Sequence, residues 1–200
     1  MSGLAPRIDV DGVDFAALSK RLGLTDQAAR RAYRRAADKT LTWLKRQVAR
    51  DVNGTMGIPM KVLRKRLKAY RTSQRSMRAK LWLGLNAIDA GEIGKGRQQR
   101  AGVRVGKFFF RGAFKARIYG GGEKIWIRRD SKWFDPDLYP SKVRPGNRGA
   151  PPGFPVVKVR VKLDEAENRF VYWSARMEAY LNTLLMKELD LEVRRAQRAR

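Results

Sequence analysis

Residues 25–51 read TDQAARRAYRRAADKTLTWLKRQVARD, and this stretch sets the fold expected for the chain. Apolar side chains recur in it at three- and four-residue spacing, at Tyr33, Ala37, Leu41, Leu44 and Val48. The hydroxyl of Thr25 suits the cap of a first turn, and Asp26 suits the positive end of the helix dipole. We therefore expect a helix roughly 37 Å long, at about 1.5 Å per residue. Asn53 and Gly54 are expected to end it.

A short and strongly basic helix is expected after this break. Pro59 suits a first helical turn, and an apolar face would hold Met60, Leu63, Leu67 and Tyr70. Residues 52–88 contain nine lysines and arginines and no acidic residue, which favours an anionic partner over a solvated helix face. The candidate DNA or anion contacts are Lys61, Arg64, Lys65, Arg66, Lys68 and Arg71. Such contacts would be independent of base sequence and sensitive to salt.

The period of the pattern then changes to two, which predicts strands. One strand is expected at 77–85 and another at 157–163, while 108–119 and 124–128 read as a hairpin around three glycines. Asp164 could cap a final helix whose apolar stripe holds Phe170, Trp173, Met177, Leu181 and Leu184. The expected fold class is α+β. It comprises a long N-terminal helix, a short basic helix, a small and mostly antiparallel sheet, a C-terminal amphipathic helix and long irregular loops.

The expected organisation is a single domain over residues 25–193. With 200 residues, of which 43% are hydrophobic, the chain can bury one core. Glycine and proline predict extended loops at 91–106 and 130–155. Residues 1–24 would form an arm followed by a short helix, and 194–200 a basic tail.

The charge balance and the missing residue types limit the function classes. The chain has 45 basic and 19 acidic residues, a formal charge of +26, which favours anionic partners or neighbouring copies. It has no cysteine and no histidine, so thiolate nucleophiles and the commonest general base are excluded. We assign no catalytic residue, no cofactor and no metal, and expect a protein that is not an enzyme. No run approaches the about 20 apolar residues of a membrane span, so we expect a soluble protein made in the cytoplasm.

Two segments admit more than one interpretation. Residues 18–32, LSKRLGLTDQAARRA, resemble a helix-turn-helix in which Arg30, Arg31 and Arg34 would meet bases or phosphates. A short helix joined to a long core helix explains the same residues. Asp135 and Asp137 flank a proline, as at the start of a metal-dependent nuclease motif, but the Glu-x-Lys or Asp-x-Lys of that motif does not follow. A turn is the simpler interpretation.

Aromatic residues lie among basic ones in the second half of the chain. Stacking of bases on such rings is typical of single-strand binders, whereas aromatic residues in strands more often pack a core or a subunit interface. Trp82, in the first half of the chain, also lies among basic residues. The candidate subunit-interface residues are Phe108, Phe109, Phe110, Phe114, Trp126, Trp133 and Phe134.

The order of these features resembles the phage minor tail protein Z family, the tail completion proteins of lambda-like siphophages. The matching stretches are QAARRAYRRAADKT, GIPMKVLRKRLKAY, RGAFKARIYGGG leading into KIWIRR, and a final strand and helix, within residues 25–190. The resemblance implies a structural virion protein at the head-proximal end of the tail, in a ring commonly of six copies. The implied partners are other copies of itself, a tail terminator or tail-tube protein, head-connector proteins and genome DNA, with no membrane. The alternative is a nucleic-acid-binding protein, either sequence-nonspecific or of the helix-turn-helix type.

Overall fold

The computed structural model describes residues 7–8, 14–73, 77–118, 122–136 and 155–198. The helices in these ranges are α1 (Phe15–Leu22), α2 (Asp26–Met56), α3 (Met60–Arg66), α4 (Ala90–Ile93), α5 (Asp164–Ser174) and α6 (Met177–Arg198). The strands are β1 (Arg7–Ile8), β2 (Leu67–Tyr70), β3 (Ala79–Leu83), β4 (Ile88–Asp89), β5 (Arg97–Gln99), β6 (Gly102–Val105), β7 (Phe108–Arg111), β8 (Ala113–Ala116), β9 (Lys124–Arg128), β10 (Val156–Lys158) and β11 (Arg160–Val161). Most of the predicted arm and of the predicted loop at 130–155 lies outside the described residues.

The strands form small antiparallel sheets, which confirms the α+β class. Among the strands of the described ranges, three sheets have three strands each, in the orders β1-β3-β2, β5-β6-β7 and β8-β9-β10, and β4 pairs with β11. Within the described residues, no helix is long and apolar enough to cross a bilayer.

The long helix α2 lies at the centre of the fold. Its start is confirmed, because the Thr25 hydroxyl accepts a hydrogen bond from the amide of Ala28 at 3.2 Å. The helices α1, α3, α5 and α6 and the strands β2 and β3 all pack against it. Its buried face is built largely from small and aliphatic side chains, namely Ala29, Ala32, Ala36, Ala37, Leu41, Leu44, Val48 and Val52, together with Tyr33. Alanines on this face let the neighbouring helices approach closely.

The predicted end of this helix is wrong, because α2 continues through Asn53 and Gly54 to Met56. Gly57 ends it in the left-handed region, at φ +68°. The amide of Asn53 donates to the carbonyl of Ile58 at 2.8 Å, so this side chain stabilises the turn that follows the helix. The ammonium of Lys107 donates to the carbonyl of Gly54 at 2.6 Å, which satisfies one of the acceptors left open at a helix end.

The basic helix is confirmed as α3, but it is shorter than predicted. Leu67 and Tyr70, expected on its apolar face, lie instead in β2, which pairs antiparallel with β3. The alternation expected in β3 is confirmed, since Ala79, Leu81 and Leu83 are buried. The backbone of β1 pairs with the other edge of β3, so this part of the predicted arm is a strand.

The predicted loop at 91–106 is wrong, because it holds most of α4 and all of β5 and β6. In β6 the side chains of Val103 and Val105 are buried and that of Arg104 is exposed, so the strand alternates as an amphipathic strand does. Strand β5 is exposed throughout and lies at the edge of its sheet. Edge strands tolerate polar side chains on both faces, which is why the pattern resembled a loop.

The later strands agree in part with the prediction. Gly112, at φ +68°, divides the predicted strand at 108–119 into β7 and β8, which belong to different sheets. The hairpin of β8 with β9 is confirmed, with Ala113 opposite Ile127. The predicted strand at 157–163 is divided into β10, which pairs with β9, and β11, which pairs with β4.

The final helix is two helices, separated at Ala175 and Arg176. The predicted cap at Asp164 is wrong, because this residue is the first of α5 and makes no capping bond. The predicted basic tail is also wrong over 194–198, which continue α6. The indole of Trp173 donates to the carboxylate of Asp51 at 2.9 Å and joins α5 to α2.

Candidate nucleic-acid interface

Four of the six predicted anion contacts, Lys61, Arg64, Lys65 and Arg66, lie on one short helix. Lys61, Arg64 and Lys65 lie on α3, and all three side chains are exposed. The helix holds them outward because Val62 and Leu63 are buried against the core. Among the described residues, none of the three cations pairs with a carboxylate. Their charge is therefore available to an anionic partner.

The other predicted contacts lie at the end of α3 and beyond it. Arg66 is half-buried and donates to the carbonyl of Asn86 at 3.2 Å. Lys68 is exposed, and its ammonium lies 5.7 Å from the centre of the Trp82 ring, directly across the strand pair. Arg71 follows β2, is exposed, and lines a groove beside α2 and α6. The structure thus brings together the α3 cations and places Arg71 elsewhere.

That groove was not predicted from the sequence. It has a volume of about 360 Å³, and Arg46 and Trp43 of α2 line it opposite Tyr180 of α6. The rings of Trp43 and Tyr180 are stacked, with centroids 4.2 Å apart and an interplanar angle of 15°. Trp43 lies outside the five residues of the predicted α2 stripe, which is why its partner on a distant helix was not foreseen.

A buried ion-pair network beside the groove joins α2 to α6. Glu188 accepts a hydrogen bond from Arg35 at 2.7 Å and another from Lys39. Glu192 accepts from Arg35 and, at 2.8 Å, from Arg195. Glu188 and Glu192 are only 3% and 4% exposed. Both lie one helical turn apart on α6, facing basic residues at the same spacing on α2, and this matched spacing is the signal that could have revealed the network.

The network shifts the pKa values of its members. Burial raises the pKa of Glu188, but the hydrogen bonds from Lys39 and Arg35 outweigh it, so this pKa lies below its ordinary value. The pKa of Glu192 is lowered in the same way, with Arg35 as its main partner against the effect of burial. Burial lowers the pKa of Arg35, but its bonds to the two carboxylates leave that pKa raised. All three groups are therefore held in their charged forms.

Two of the three arginines named in the helix-turn-helix interpretation pair with carboxylates of the chain. Arg30 pairs with Asp26 at 2.6 Å, and Arg31 lies 3.5 Å from Glu192. Arg34 is half-buried. The would-be recognition helix is the first part of α2, whose Ala29 and Ala32 are fully buried. The same residues form a short helix, α1, joined to a long core helix, which is the other interpretation given above.

Two of the seven predicted subunit-interface residues belong to the interior. Phe110 is 7% exposed and Trp126 is 6% exposed, and the Trp126 indole donates to the carbonyl of Ala116 at 3.1 Å. Phe108 and Phe134 are half-buried and pack against the core. For Phe110 and Trp126 the interface prediction is wrong, because their rings are covered by the chain itself.

The remaining three aromatic residues lie beneath basic side chains. The guanidinium of Arg104 lies 5.4 Å from the ring centre of Phe109, and that of Arg128 lies 5.9 Å from Phe114. Trp133 is 43% exposed and is approached by the guanidinium of Arg111 at 5.0 Å. Cation–π contacts of this kind hold rings at a surface without burying them.

A second cavity, of about 200 Å³, brings lysines and carboxylates together. Lys124 and Lys158 line it with Asp89, Glu92 and Glu123. Burial lowers the pKa of Lys158, and the neighbouring Lys124 lowers it further. In the part of the chain that the structure describes, no cluster of His, Cys, Asp or Glu could hold a metal ion. Asp137, named in the nuclease interpretation, lies outside that part.

Comparisons of the chain with protein families, with curated proteins and with solved structures found no match.

Proposed function

We propose that the chain is a structural virion protein, a tail completion protein at the head-proximal end of a phage tail. It would join the tail to the head connector and line the path of the DNA. The observation that carries the proposal is the exposed face of α3, where Lys61, Arg64 and Lys65 have no carboxylate partner among the residues that the structure describes. A lumen wall needs such a face, because it meets phosphates without reading bases.

The arrangement of elements supports the same proposal. The stretches that resemble the tail completion family fall on α2, on α3 with β2, on the hairpin of β8 with β9, and on the final strands and helices. A ring subunit also needs surface for its neighbours. Trp133, Phe109 and Phe114 supply aromatic rings near the surface, and Tyr70 is 54% exposed beside the basic helix. The partners would be further copies, a tail terminator or tail-tube protein, the head connector and genome DNA.

The test is assembly of particles in the phage that carries this gene. Without the protein, we expect heads and tails that fail to join or that fail to deliver DNA, as seen by electron microscopy and plaque counts. Supplying the protein in trans should restore both. A variant with Lys61, Arg64 and Lys65 changed to alanine should restore joining but deliver DNA poorly. Infectious particles formed without the protein would contradict the proposal, as would its absence from purified virions.

A second candidate function rests on the same basic face. A sequence-nonspecific nucleic-acid-binding protein would also present unpaired cations on a short helix. The helix-turn-helix form has less support, since Arg30 and Arg31 pair with carboxylates of the chain. Binding of free duplex DNA at physiological salt, together with normal particles in its absence, would favour this candidate over the first.

A further inference from the structure

Among the described residues, the side chains that line the groove between α2 and α6 include more cations than carboxylates. Arg46 and Arg71 line it, both are exposed, and neither has a carboxylate partner among the described residues. The acidic residue that lines the groove, Asp38, is already engaged. Its carboxylate accepts from both the amide and the hydroxyl of Thr72, each at 3.2 Å. The groove therefore offers an anion two free guanidinium groups.

The same groove contains a fixed aromatic pair. The stack of Trp43 on Tyr180 is supported from the side by Trp173, whose ring meets that of Trp43 edge-on at 5.8 Å. Trp173 is in turn fixed by its bond to Asp51. Trp43 and Tyr180 are half-buried, so part of each ring is accessible from the groove. The rings are thus positioned before any ligand arrives, which limits the entropy lost on binding.

We propose that this groove binds an unpaired nucleotide of a nucleic-acid strand. The phosphate would lie on Arg46 and Arg71, and the base would contact the pair formed by Trp43 and Tyr180. A volume of about 360 Å³ is in the range of small-ligand sites and suits one nucleotide. Cationic grooves with aromatic platforms are how single-strand binders hold backbone and bases together. The inference depends on the groove's own residues and does not require the tail role.

Fluorescence anisotropy with a short labelled single-stranded oligodeoxynucleotide, repeated over a range of salt concentrations, tests this site. We expect Arg46→Ala and Arg71→Ala each to weaken binding and to reduce the salt slope by about 0.7. Tyr180→Leu keeps an apolar contact with Trp43 but removes the ring, and should weaken binding about tenfold with the slope unchanged. Thermal melting followed by circular dichroism confirms that each variant is folded.

Arg50→Ala is the matched control. Arg50 is exposed one turn further along α2, has no carboxylate partner among the residues described, and does not line the groove. Its loss should leave affinity within about twofold of the unchanged protein, the spread expected of a surface charge outside a contact. Equal losses in Arg50→Ala and Arg46→Ala would overturn the proposal, because charge alone would then explain binding.

Other outcomes would also overturn it. Wild-type affinity in a folded Tyr180→Leu variant would show that no base meets the aromatic pair. A duplex that binds as tightly as the single strand, with the same dependence on Tyr180, would exclude an unpaired base. Inorganic phosphate that displaces the oligonucleotide at equal concentration would reduce the site to one for small anions. None of these results depends on particle assembly. Particle assembly is the separate test of the proposed function.

Discussion

The carboxylate of Glu188 lies 2.7 Å from the guanidinium of Arg35, across the interface of α6 with α2. The glutamate side chain is almost fully buried, while the arginine is 34% exposed. Removal of the Glu188 charge would weaken its hydrogen bonds with Arg35 and Lys39, whereas Arg35 would keep its bond to Glu192.

We expect Glu188→Gln to lower the free energy of unfolding by about 2 kcal/mol, as measured by urea denaturation, because charge-assisted hydrogen bonds are lost. The control is Asp190→Asn on the same helix, since Asp190 pairs with Arg194 at 2.9 Å with both side chains more than half exposed. That change should cost less than about 1 kcal/mol. Equal losses of unfolding free energy in the two variants would show that burial of Glu188 adds nothing to the stability of the fold.

Acid should weaken the same interface. The pKa values of Glu188 and Glu192 lie below their ordinary range in the folded chain, so the unfolded chain takes up protons at a higher pH than the folded one does. The stability that the pairs contribute is complete above the ordinary glutamate pKa of about 4.3 and is lost as pH falls through the folded-state values. We expect the urea midpoint to decrease steeply below that pH. In Glu188→Gln the decrease should be shallower, and an unchanged slope would contradict this origin.

Two glycines near the end of α2 allow a matched comparison, because Gly54 lies inside the helix and Gly57 ends it. Gly57 has φ +68°, and an added Cβ would meet the side chain of Lys107 at 3.0 Å, so Gly57→Ala should cost about 1–3 kcal/mol. Gly54 lies inside the helix with open space around its Cα, so Gly54→Ala should stabilise the protein by up to about 1 kcal/mol. Thermal unfolding of both variants checks the sign of each change. Destabilisation by Gly54→Ala would place the helix end where the sequence pattern predicted it.

Binding of duplex DNA by the full chain tests the basic face of α3 separately from the groove. Lys61→Ala should weaken binding and reduce the slope of log affinity against log salt by about 0.9, the value for one phosphate contact on duplex DNA. Lys187→Ala removes an equal charge from the exposed face of α6 and should leave that slope unchanged. The measurement is a titration at several salt concentrations. A slope reduced equally by both variants would mean that net charge alone attracts the DNA.

The sequence predicted the elements whose regular apolar pattern packs one face against the single core. The pattern of α2 and the alternation in β3 are of this kind, because each element buries one face against the same interior. The strand β5 was missed because edge strands bury little, and β6 was missed because its short alternation from Val103 to Val105 is flanked by Gly102 and Gly106. The end of α2 was misplaced because Asn53 bonds to Ile58 after the helix instead of stopping it.

The candidate site could be predicted only where its residues are close in sequence. The cations of α3 were identified as one face because they lie within a single helix. The groove joins Trp43, Arg71 and Tyr180, which come from three separate parts of the chain, and a pattern along the chain cannot show that they meet. Glu188 and Glu192 were not singled out from the sequence, since nothing within their own helix shows that α2 covers them.

The helix α2 contacts elements from both ends of the described chain. The elements α1 and α6 each lie against α2, and so do α3 and α5. A fragment made of these elements without α2 should therefore not fold by itself, because it would lose the helix that shields its apolar side. Heating should melt these elements in one cooperative step, and a fragment lacking α6 would expose the alanine-rich surface of α2 and become a substrate for proteases.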